Sequence, residues 1–389
     1  MQYFFVLGNN PSLSVAEILA VLSPKSYELT NDQILVVDLD QSIDPQELIA
    51  RLGGTIKIGI IKEQVTDHFP KILESARGII LAYVKNGVEG KFKFGFSVYH
   101  LKIQTKTLGM EIKKDLKQQG LSCRWVISRD QALSSVVVEQ NKLVDKGIDL
   151  VFFGLNKKVC LGQTLAVQPF KQLSARDYGR PARDDHSGML PPKLAQIMIN
   201  LSGTQPGDIL LDPFCGSGTV LSEALLMGFE KVIGSDLSVK AIQDTLENLE
   251  WIKGVKKIKG QYELHQADVS SLSKVIKKKV DIIVTEPYLG PQRGQVDFRK
   301  ITQELESLYS KALQEFYKIT NDGGRVIMIW PVWLGKKTIN PKLVGWSILP
   351  MFKKQDFAQR HFGTTERGTI IYGRPQQKVW REIVVLEKK

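Results

Sequence analysis

Cysteine is scarce in this sequence, with three among 389 residues. Cys123, Cys160 and Cys215 are odd in number and show no C-x-x-C spacing, so neither a disulfide framework nor a zinc site is indicated. The five histidines are scattered, and we expect no metal. The chain also lacks an apolar run of about 18 residues and a secretory signal at its start. We therefore expect a protein of the cytoplasm without a membrane segment.

Acidic residues are outnumbered, since 53 Lys and Arg stand against 41 Asp and Glu and the formal net charge is +12. The basic excess lies in residues 51–200 and 251–389, whereas residues 1–50 and 201–250 are acidic. Two basic stretches suit a polyanionic partner such as nucleic acid. A generally basic, solvated surface is the alternative, so charge alone leaves the partner open.

Hydrophobic periodicity divides the first half of the chain. Residues 1–55 form a small α/β unit with a helix predicted from Ser14, where Glu17 completes a capping box. Residues 56–168 form a second, basic α/β segment. Residues 169–191 show neither the strand nor the helix period and are rich in charge, Gly and Pro, which predicts a linker.

Strand and helix patterns alternate from residue 192 to residue 389. This alternation is typical of an α/β fold with a doubly wound, mostly parallel sheet. Near the end, residues 369–372 and 381–386 are predicted to pair as an antiparallel hairpin.

The most informative stretch is Asp-Pro-Phe-Cys-Gly-Ser-Gly-Thr at 212–219, where a predicted strand enters a Gly-rich turn before a helix. Gly216 and Gly218 let the backbone approach a ligand, and Asp212 at the strand end can hold a charged ammonium. The turn matches neither the phosphate loop nor the complete G-x-G-x-x-G pattern. An ordinary turn without a ligand is the alternative.

Two further acids end the next two predicted strands. Asp236 is placed to accept both hydrogen bonds from a ribose diol, and Asp268 to accept the amino hydrogen of an adenine. Taken alone, each is equally typical of an exposed carboxylate that caps a helix.

Glu286, Pro287 and Tyr288 follow the fourth predicted strand. An exocyclic amine on a base is a poor nucleophile, because its lone pair is delocalised into the ring. The Glu286 side chain and the Pro287 carbonyl can accept its two hydrogens, and Tyr288 can stack on a flipped base. A strand-end loop that has lost catalysis is the alternative.

The motif D-x-F-x-G-x-G, followed by Asp236 and Asp268, is the pattern of S-adenosylmethionine-dependent methyltransferases. With the preceding Gly-Met-Leu-Pro-Pro-Lys-Leu-Ala at 188–195, it resembles the THUMP-domain tRNA guanosine-N2-methyltransferases. The resemblance implies four segments: a ferredoxin-like domain at 1–55, a THUMP RNA-binding domain at 56–168, a linker at 169–191, and a Rossmann-like class I methyltransferase domain at 192–389.

The resemblance further implies methyl transfer from S-adenosylmethionine to the N2 amine of a guanosine in tRNA. Its catalytic residues would be Glu286, Pro287 and Tyr288. Its cofactor-binding residues would be Asp212, Phe214, Gly216, Gly218, Asp236 and Asp268. We expect a monomer, with a small activating protein subunit as an open alternative.

The Glu-Pro-Tyr loop departs from the family pattern, which has Asp or Asn, two prolines and an aromatic residue. Aligned on the strand and Gly290, Glu286 takes the place of the acid. Aligned on the aromatic residue, Tyr288 keeps its place and Glu286 stands where the first proline would. Two alternatives therefore stay open: an amino-methyltransferase for another RNA or DNA base, and a non-catalytic tRNA-binding protein.

Basic residues in two places are candidates for RNA contact. Arg176, Arg180 and Arg183 recur every three or four residues in the predicted linker, and Lys91 and Lys93 lie in the basic segment. Such side chains can grip phosphates without reading sequence. For each of them, a solvated surface position is the alternative.

Overall fold

The computed structural model divides the chain into two compact units. Met1–Pro11 and Ser23–Lys171 form the amino-terminal unit, and Ser12–Leu22 and Gln172–Lys389 form the carboxyl-terminal unit. The structure describes residues 1–30, 32–85, 87, 90–183, 189–203, 205, 207–255, 258–291, 297–333, 337–352, 363–373 and 377–389.

The amino-terminal unit has one eight-stranded sheet in the order β2-β3-β1-β4-β8-β7-β5-β6. Its strands are β1 (Gln2–Leu7), β2 (Ser26–Thr30), β3 (Ile34–Asp38), β4 (Thr55–Thr66), β5 (Phe92–Tyr99), β6 (Cys123–Val126), β7 (Gly147–Leu155) and β8 (Lys158–Val167). The helices in this part of the sequence are α1 (Pro11–Leu22), α2 (Pro45–Arg51), α3 (Phe69–Lys85), α4 (Thr105–Gln118) and α5 (Ser135–Gln140). Because β1 pairs with β4, the strands on both sides of residue 55 share this sheet.

Apolar side chains alternate with polar residues or glycine over residues 92–98, which is typical of a half-buried strand, yet β5 is buried on both faces. Phe94 and Phe96 pack in an aromatic cluster on one face. On the other face, Ser97 is fully buried and bonded to charged groups. The sequence could not reveal this, because β5 is an inner strand flanked by β6 and β7.

A fully buried ion pair joins four strands of this sheet. Lys57 Nζ on β4 lies 2.7 Å from Asp149 Oδ2 on β7, and the two side chains are 1% and 0% exposed. Ser97 Oγ on β5 and Thr164 Oγ1 on β8 each donate to the Asp149 carboxylate at 2.7 Å. Lys57 Nζ also donates to Ser97 Oγ at 2.9 Å. Each buried charge is therefore compensated by a partner of opposite sign and by neutral hydroxyls.

We expect Lys57→Met to lower the melting temperature by roughly 10 °C, because the Asp149 carboxylate would stay buried without its counter-ion and such losses are about 3–5 kcal/mol. The matched control is Lys62→Met on the same strand, where the lysine is exposed and the change should stay within about 0.5 kcal/mol. Differential scanning calorimetry of both variants checks this. Equal melting temperatures would contradict it.

The carboxyl-terminal unit has a nine-stranded sheet in the order β11-β10-β9-β12-β13-β17-β15, with β14 paired to β13 and β16 to β17. Its strands are β9 (Ile209–Asp212), β10 (Lys231–Asp236), β11 (Gln261–Gln266), β12 (Val280–Thr285), β13 (Thr320–Trp333), β14 (Lys337–Thr338), β15 (Trp346–Ile348), β16 (Ile370–Tyr372) and β17 (Val379–Lys388). Its helices are α6 (Phe170–Tyr178), α7 (Pro192–Leu201), α8 (Thr219–Leu226), α9 (Val239–Val255), a 3-10 helix (Val269–Lys274) and α10 (Phe298–Ile319).

This sheet confirms the predicted doubly wound α/β fold. Strands β9 to β13 are parallel, and β17 is antiparallel to β13. The predicted terminal hairpin is also confirmed, with Ile370 opposite Ile383 and Tyr372 opposite Arg381. In the described part of the chain, no helix combines the length and the apolar composition of a membrane span.

The predicted capping box at Ser14 is wrong, because α1 begins three residues earlier. Pro11 is its first residue, a position where the missing amide hydrogen of proline is harmless. Ser14 and Glu17 are buried. Glu17 accepts a hydrogen bond from Asn200 Nδ2 on α7 at 2.7 Å, so α1 packs within the carboxyl-terminal unit.

The predicted linker contains a helix, α6, that the sequence pattern did not show. Its only buried residue is Leu173. Its Arg176 Nε lies 2.6 Å from Glu223 Oε1 on α8. These tertiary contacts stabilise a helix whose own apolar period is too weak to be recognised. Residues 184–188 of the predicted linker lie outside the described residues.

Candidate active site

The carboxyl ends of three adjacent strands bring together three of the four acids singled out in the sequence. Strand β9 lies between β10 and β12. It ends at Asp212, β10 ends at Asp236, and Glu286 directly follows β12. The strand order reverses at β9 and β12, and in open α/β sheets ligands bind in the crevice outside such a reversal.

Asp212 is a buried carboxylate, 2% exposed. It accepts hydrogen bonds from Thr285 Oγ1 at 2.7 Å and from the Phe214 N–H at 3.2 Å. Burial, together with the negative charges of Asp236 and Glu286, raises its pKa to about 7, although these two hydrogen bonds lower it. Within the described ranges no lysine or arginine pairs with it. A cationic group of a ligand could therefore compensate the negative charge of Asp212.

The two glycines of the turn have different roles. Both have positive φ, +53° at Gly216 and +78° at Gly218. A Cβ at Gly218 would lie 2.9 Å from Thr245 Cγ2, whereas a Cβ at Gly216 would meet no described atom within 4 Å. Gly218 thus permits close packing on α9. Gly216 leaves open space beside Asp236, whose Oδ2 accepts its N–H at 3.1 Å.

Asp236 and Asp268 differ in their surroundings. Asp236 is half-buried, and its second oxygen accepts the Ser238 N–H at 2.9 Å. Asp268 is exposed and caps the 3-10 helix through the Ser270 N–H at 2.8 Å. Hydrogen bonds from Ser270 lower the Asp268 pKa. Asp268 therefore has the capping geometry considered as its alternative, and contact with an adenine stays a prediction.

The Glu286 side chain is held by a residue that the sequence did not single out. Arg381 Nε lies 2.5 Å from Glu286 Oε1, and the side chains are 14% and 13% exposed. Arg381 is on β17, opposite Pro331 on β13. Residues 286 and 381 are 95 positions apart. No local pattern signals such a contact.

Tyr288 presents its ring to solvent while its backbone is fixed. It is 57% exposed, and its carbonyl accepts a hydrogen bond from the hydroxyl of Tyr309 at 3.0 Å. Tyr309 is fully buried on α10, and burial raises its pKa well above the usual value. Pro287, which lies between Glu286 and Tyr288, is buried. An exposed ring on an anchored backbone suits stacking on a base.

The arginines proposed for RNA contact fall into two classes. Arg176 pairs with the buried Glu223. Burial raises the pKa of Glu223, although the charge of Arg176 acts to lower it. Arg180 is 6% exposed and donates to Thr219 Oγ1 at 2.6 Å, and burial lowers its pKa. Arg183 is exposed and lies over the ring of Tyr178. Of the three, Arg183 alone is accessible to a phosphate without loss of a buried contact.

The two predicted lysines lie in the amino-terminal unit. Lys91 is exposed just before β5, and Lys93 is half-buried on that strand.

Comparisons with known proteins match the part of the chain that contains Asp212 and Glu286. Residues 180–333 match a family model described as an RMKL-like methyltransferase domain. A second model, described as a DNA methylase, matches residues 60–247 and ends before the Glu286 loop.

Relatives with curated names indicate a narrower class of methyltransferase. The tRNA (guanine(10)-N2)-dimethyltransferase of Methanothermobacter thermautotrophicus is 34% identical over 188 residues, 48% of this chain and 51% of that protein. The protein of the same name from Pyrococcus abyssi is 26% identical over 334 residues, 85% of this chain and 88% of that one. This chain resembles the tRNA guanine-N2-methyltransferases. The resemblance predicted from the sequence is confirmed.

The extent of these matches is uneven. The matches span about half the length of the first two curated relatives, from Methanothermobacter thermautotrophicus and Methanocaldococcus jannaschii. Among solved structures, TrmN from Thermus thermophilus aligns over the whole of both chains with a TM-score of 0.54 and 18% identity. That likeness supports the fold.

We expect Asp212→Asn to raise the melting temperature of the ligand-free protein at pH 8 and to leave it nearly unchanged at pH 4. The folded-state pKa of about 7 lies above the ordinary value of 3.8, so ionisation of Asp212 destabilises the fold as pH rises from about 4 through 7. Each unit of that difference corresponds to about 1.4 kcal/mol, so several degrees are expected at pH 8.

The matched control is Glu304→Gln on α10, which removes one negative charge from an exposed position. Thermal unfolding of both variants and the parent at the two pH values checks the prediction. A gain that is the same at pH 4 and pH 8 would contradict the proposed cause.

Proposed function

We propose that the chain transfers a methyl group from S-adenosylmethionine to the exocyclic N2 amine of a guanosine in tRNA. The observation that carries the proposal is the link between Asp212 and the Glu286 loop. Asp212 on β9, which lacks a cationic partner among the described residues, accepts a hydrogen bond from Thr285, the last residue of β12, and Glu286 follows directly. A cofactor subsite and an amine subsite thus adjoin. The named relatives support guanine N2 as the amine.

The residues around the Gly-rich turn fit the cofactor. Its charged ammonium suits the uncompensated Asp212, and the open space at Gly216 accommodates a ligand close to the backbone. We propose that Phe214, Gly216 and Gly218 shape this end, with Asp236 on the ribose and Asp268 on the adenine. When bound, S-adenosylmethionine supplies a methyl group already activated by its sulfonium charge.

The Glu286 loop would hold and orient the amine. We propose that Glu286 accepts one N2 hydrogen, the Pro287 carbonyl accepts the other, and Tyr288 stacks on the guanine. With the cofactor bound, the N2–C bond would form as the C–S bond breaks to leave a neutral thioether, and Glu286 would accept the proton that the amine loses. Alignment of amine and methyl group about 3 Å apart provides much of the rate gain.

The surface residues proposed to bind tRNA are Lys91, Lys93 and Arg183. Phosphate contacts of this kind position a nucleic acid without reading its sequence. The buried contacts of Arg176 and Arg180 support a different role for those two, namely to hold the segment before α7 against α8. The proposed cofactor and amine residues all belong to one chain, so the proposal needs no residue from a second copy.

Transfer of labelled methyl groups to an unmodified tRNA pool tests the proposal. After digestion to nucleosides, we expect label in N2-methylguanosine or its dimethylated form, and a loss of about 100-fold or more in Glu286→Ala. The control Glu304→Ala, in an exposed helix position, should match the parent.

Other results of this experiment identify the alternatives. Label in a methylated adenine would favour another base as substrate. Binding of tRNA and cofactor without transfer would leave a non-catalytic RNA-binding protein, or an enzyme that needs an activating subunit.

We expect Tyr288→Leu to lower kcat/KM for tRNA by about 10-fold or more, because stacking of a base on an aromatic ring contributes roughly 1–3 kcal/mol. Tyr288→Phe keeps the ring and should stay within about 3-fold of the parent. The ring is 57% exposed, so neither change should move the melting temperature. Equal activity of the two variants would argue against stacking.

A further inference from the structure

We propose that Arg381 is a positioning residue for methyl transfer: it anchors one oxygen of Glu286 so that the other oxygen is left, in a defined place, to accept a hydrogen of the target amine. The inference rests on the proposed function. It concerns a residue of the terminal hairpin, far from the sequence motifs that identify the site.

Only some of the polar side-chain atoms of Glu286 and Arg381 take part in hydrogen bonds among the described residues. Glu286 Oε1 accepts from Arg381 Nε at 2.5 Å. In the described part of the chain, Glu286 Oε2 accepts no hydrogen bond, and the terminal nitrogens of Arg381 donate none. The carboxylate therefore has one anchored oxygen and one acceptor to spare.

The length of glutamate explains why an anchor is needed. Glu has one more methylene and one more rotatable bond than Asp, so an unanchored carboxylate would spread over several rotamers and lose entropy on reaching the amine. A misplacement of 1 Å is enough to lower the rate of a reaction about 100-fold. A charge-assisted hydrogen bond to a guanidinium holds one rotamer at a defined orientation.

The anchor is itself rigid. Arg381 and Glu382 are neighbours on β17, so their side chains point to opposite faces of the sheet. Glu382 is fully buried and accepts from Arg367 Nε and Nη2, both at 2.8 Å, and from Thr338 Oγ1 at 2.5 Å. Arg381 stands opposite Pro331 of β13 on one side of β17 and opposite Tyr372 of β16 on the other. The strand that carries the anchor is thus fixed on both edges and on its other face.

The chain offers a matched control in a second arginine–glutamate pair across β13 and β17. Arg325 Nε lies 3.4 Å from Glu387 Oε1. These two residues stand opposite each other, six residues along the strands from Arg381. Arg325→Ala removes a guanidinium from β13, the strand paired with β17, at a distance from the strand ends that hold the site.

The test compares methyl transfer to tRNA by the full chain and its variants. We expect Arg381→Ala to lower kcat about 10- to 100-fold, with the Kd for S-adenosylmethionine within 2-fold of the parent. Arg381→Lys should recover part of the loss, because an ammonium can still pair with Glu286. Arg325→Ala should leave kcat unchanged.

A double variant separates action through Glu286 from any other action. Because Arg381 is argued to act only through Glu286, Glu286→Ala combined with Arg381→Ala should be no slower than Glu286→Ala alone. The inference would be overturned if the losses in kcat of the two single variants multiplied in the double variant. It would also be overturned if kcat were unchanged in Arg381→Ala, or if Arg325→Ala lost as much. A parent that transfers no methyl group would overturn the proposed function, and the inference with it.

Discussion

The hydrogen bond from Thr285 to Asp212 is the contact on which the candidate site depends. It joins the ends of β9 and β12, the two strands between which the order of the sheet reverses. A buried carboxylate is unfavourable without such bonds, and burial still raises the Asp212 pKa to about 7. The proposed cofactor and amine subsites therefore adjoin, because the strand that donates this bond continues directly into Glu286.

Around this contact the sheet supplies three kinds of support. Parallel strands bring Asp212 and Asp236 to one edge, and the Gly-rich turn connects them through the Gly216 N–H. The antiparallel β17 adds Arg381 from the far end of the chain.

Several details of the sequence interpretation were changed by packing. Residues 169–191 show no helical period, yet α6 forms there because Arg176 reaches the buried Glu223. Ser14 precedes an apolar helix face, yet it lies inside α1 rather than at its cap. Arg180 belongs to a basic series, yet it is buried against Thr219. For Arg176 and Arg180, a partner distant in sequence decides the environment of the residue.

The sequence by itself determined the doubly wound fold, the terminal hairpin and the set of acids at the strand ends, because hydrophobic period and turn residues act locally. It also indicated Glu286 and Tyr288 by their place after a buried strand. Only the tertiary structure decided that Arg381 pairs with Glu286, that Arg176 and Arg180 contact Glu223 and Thr219, and that α1 packs in the carboxyl-terminal unit. Those contacts join residues tens of positions apart, which no local pattern encodes.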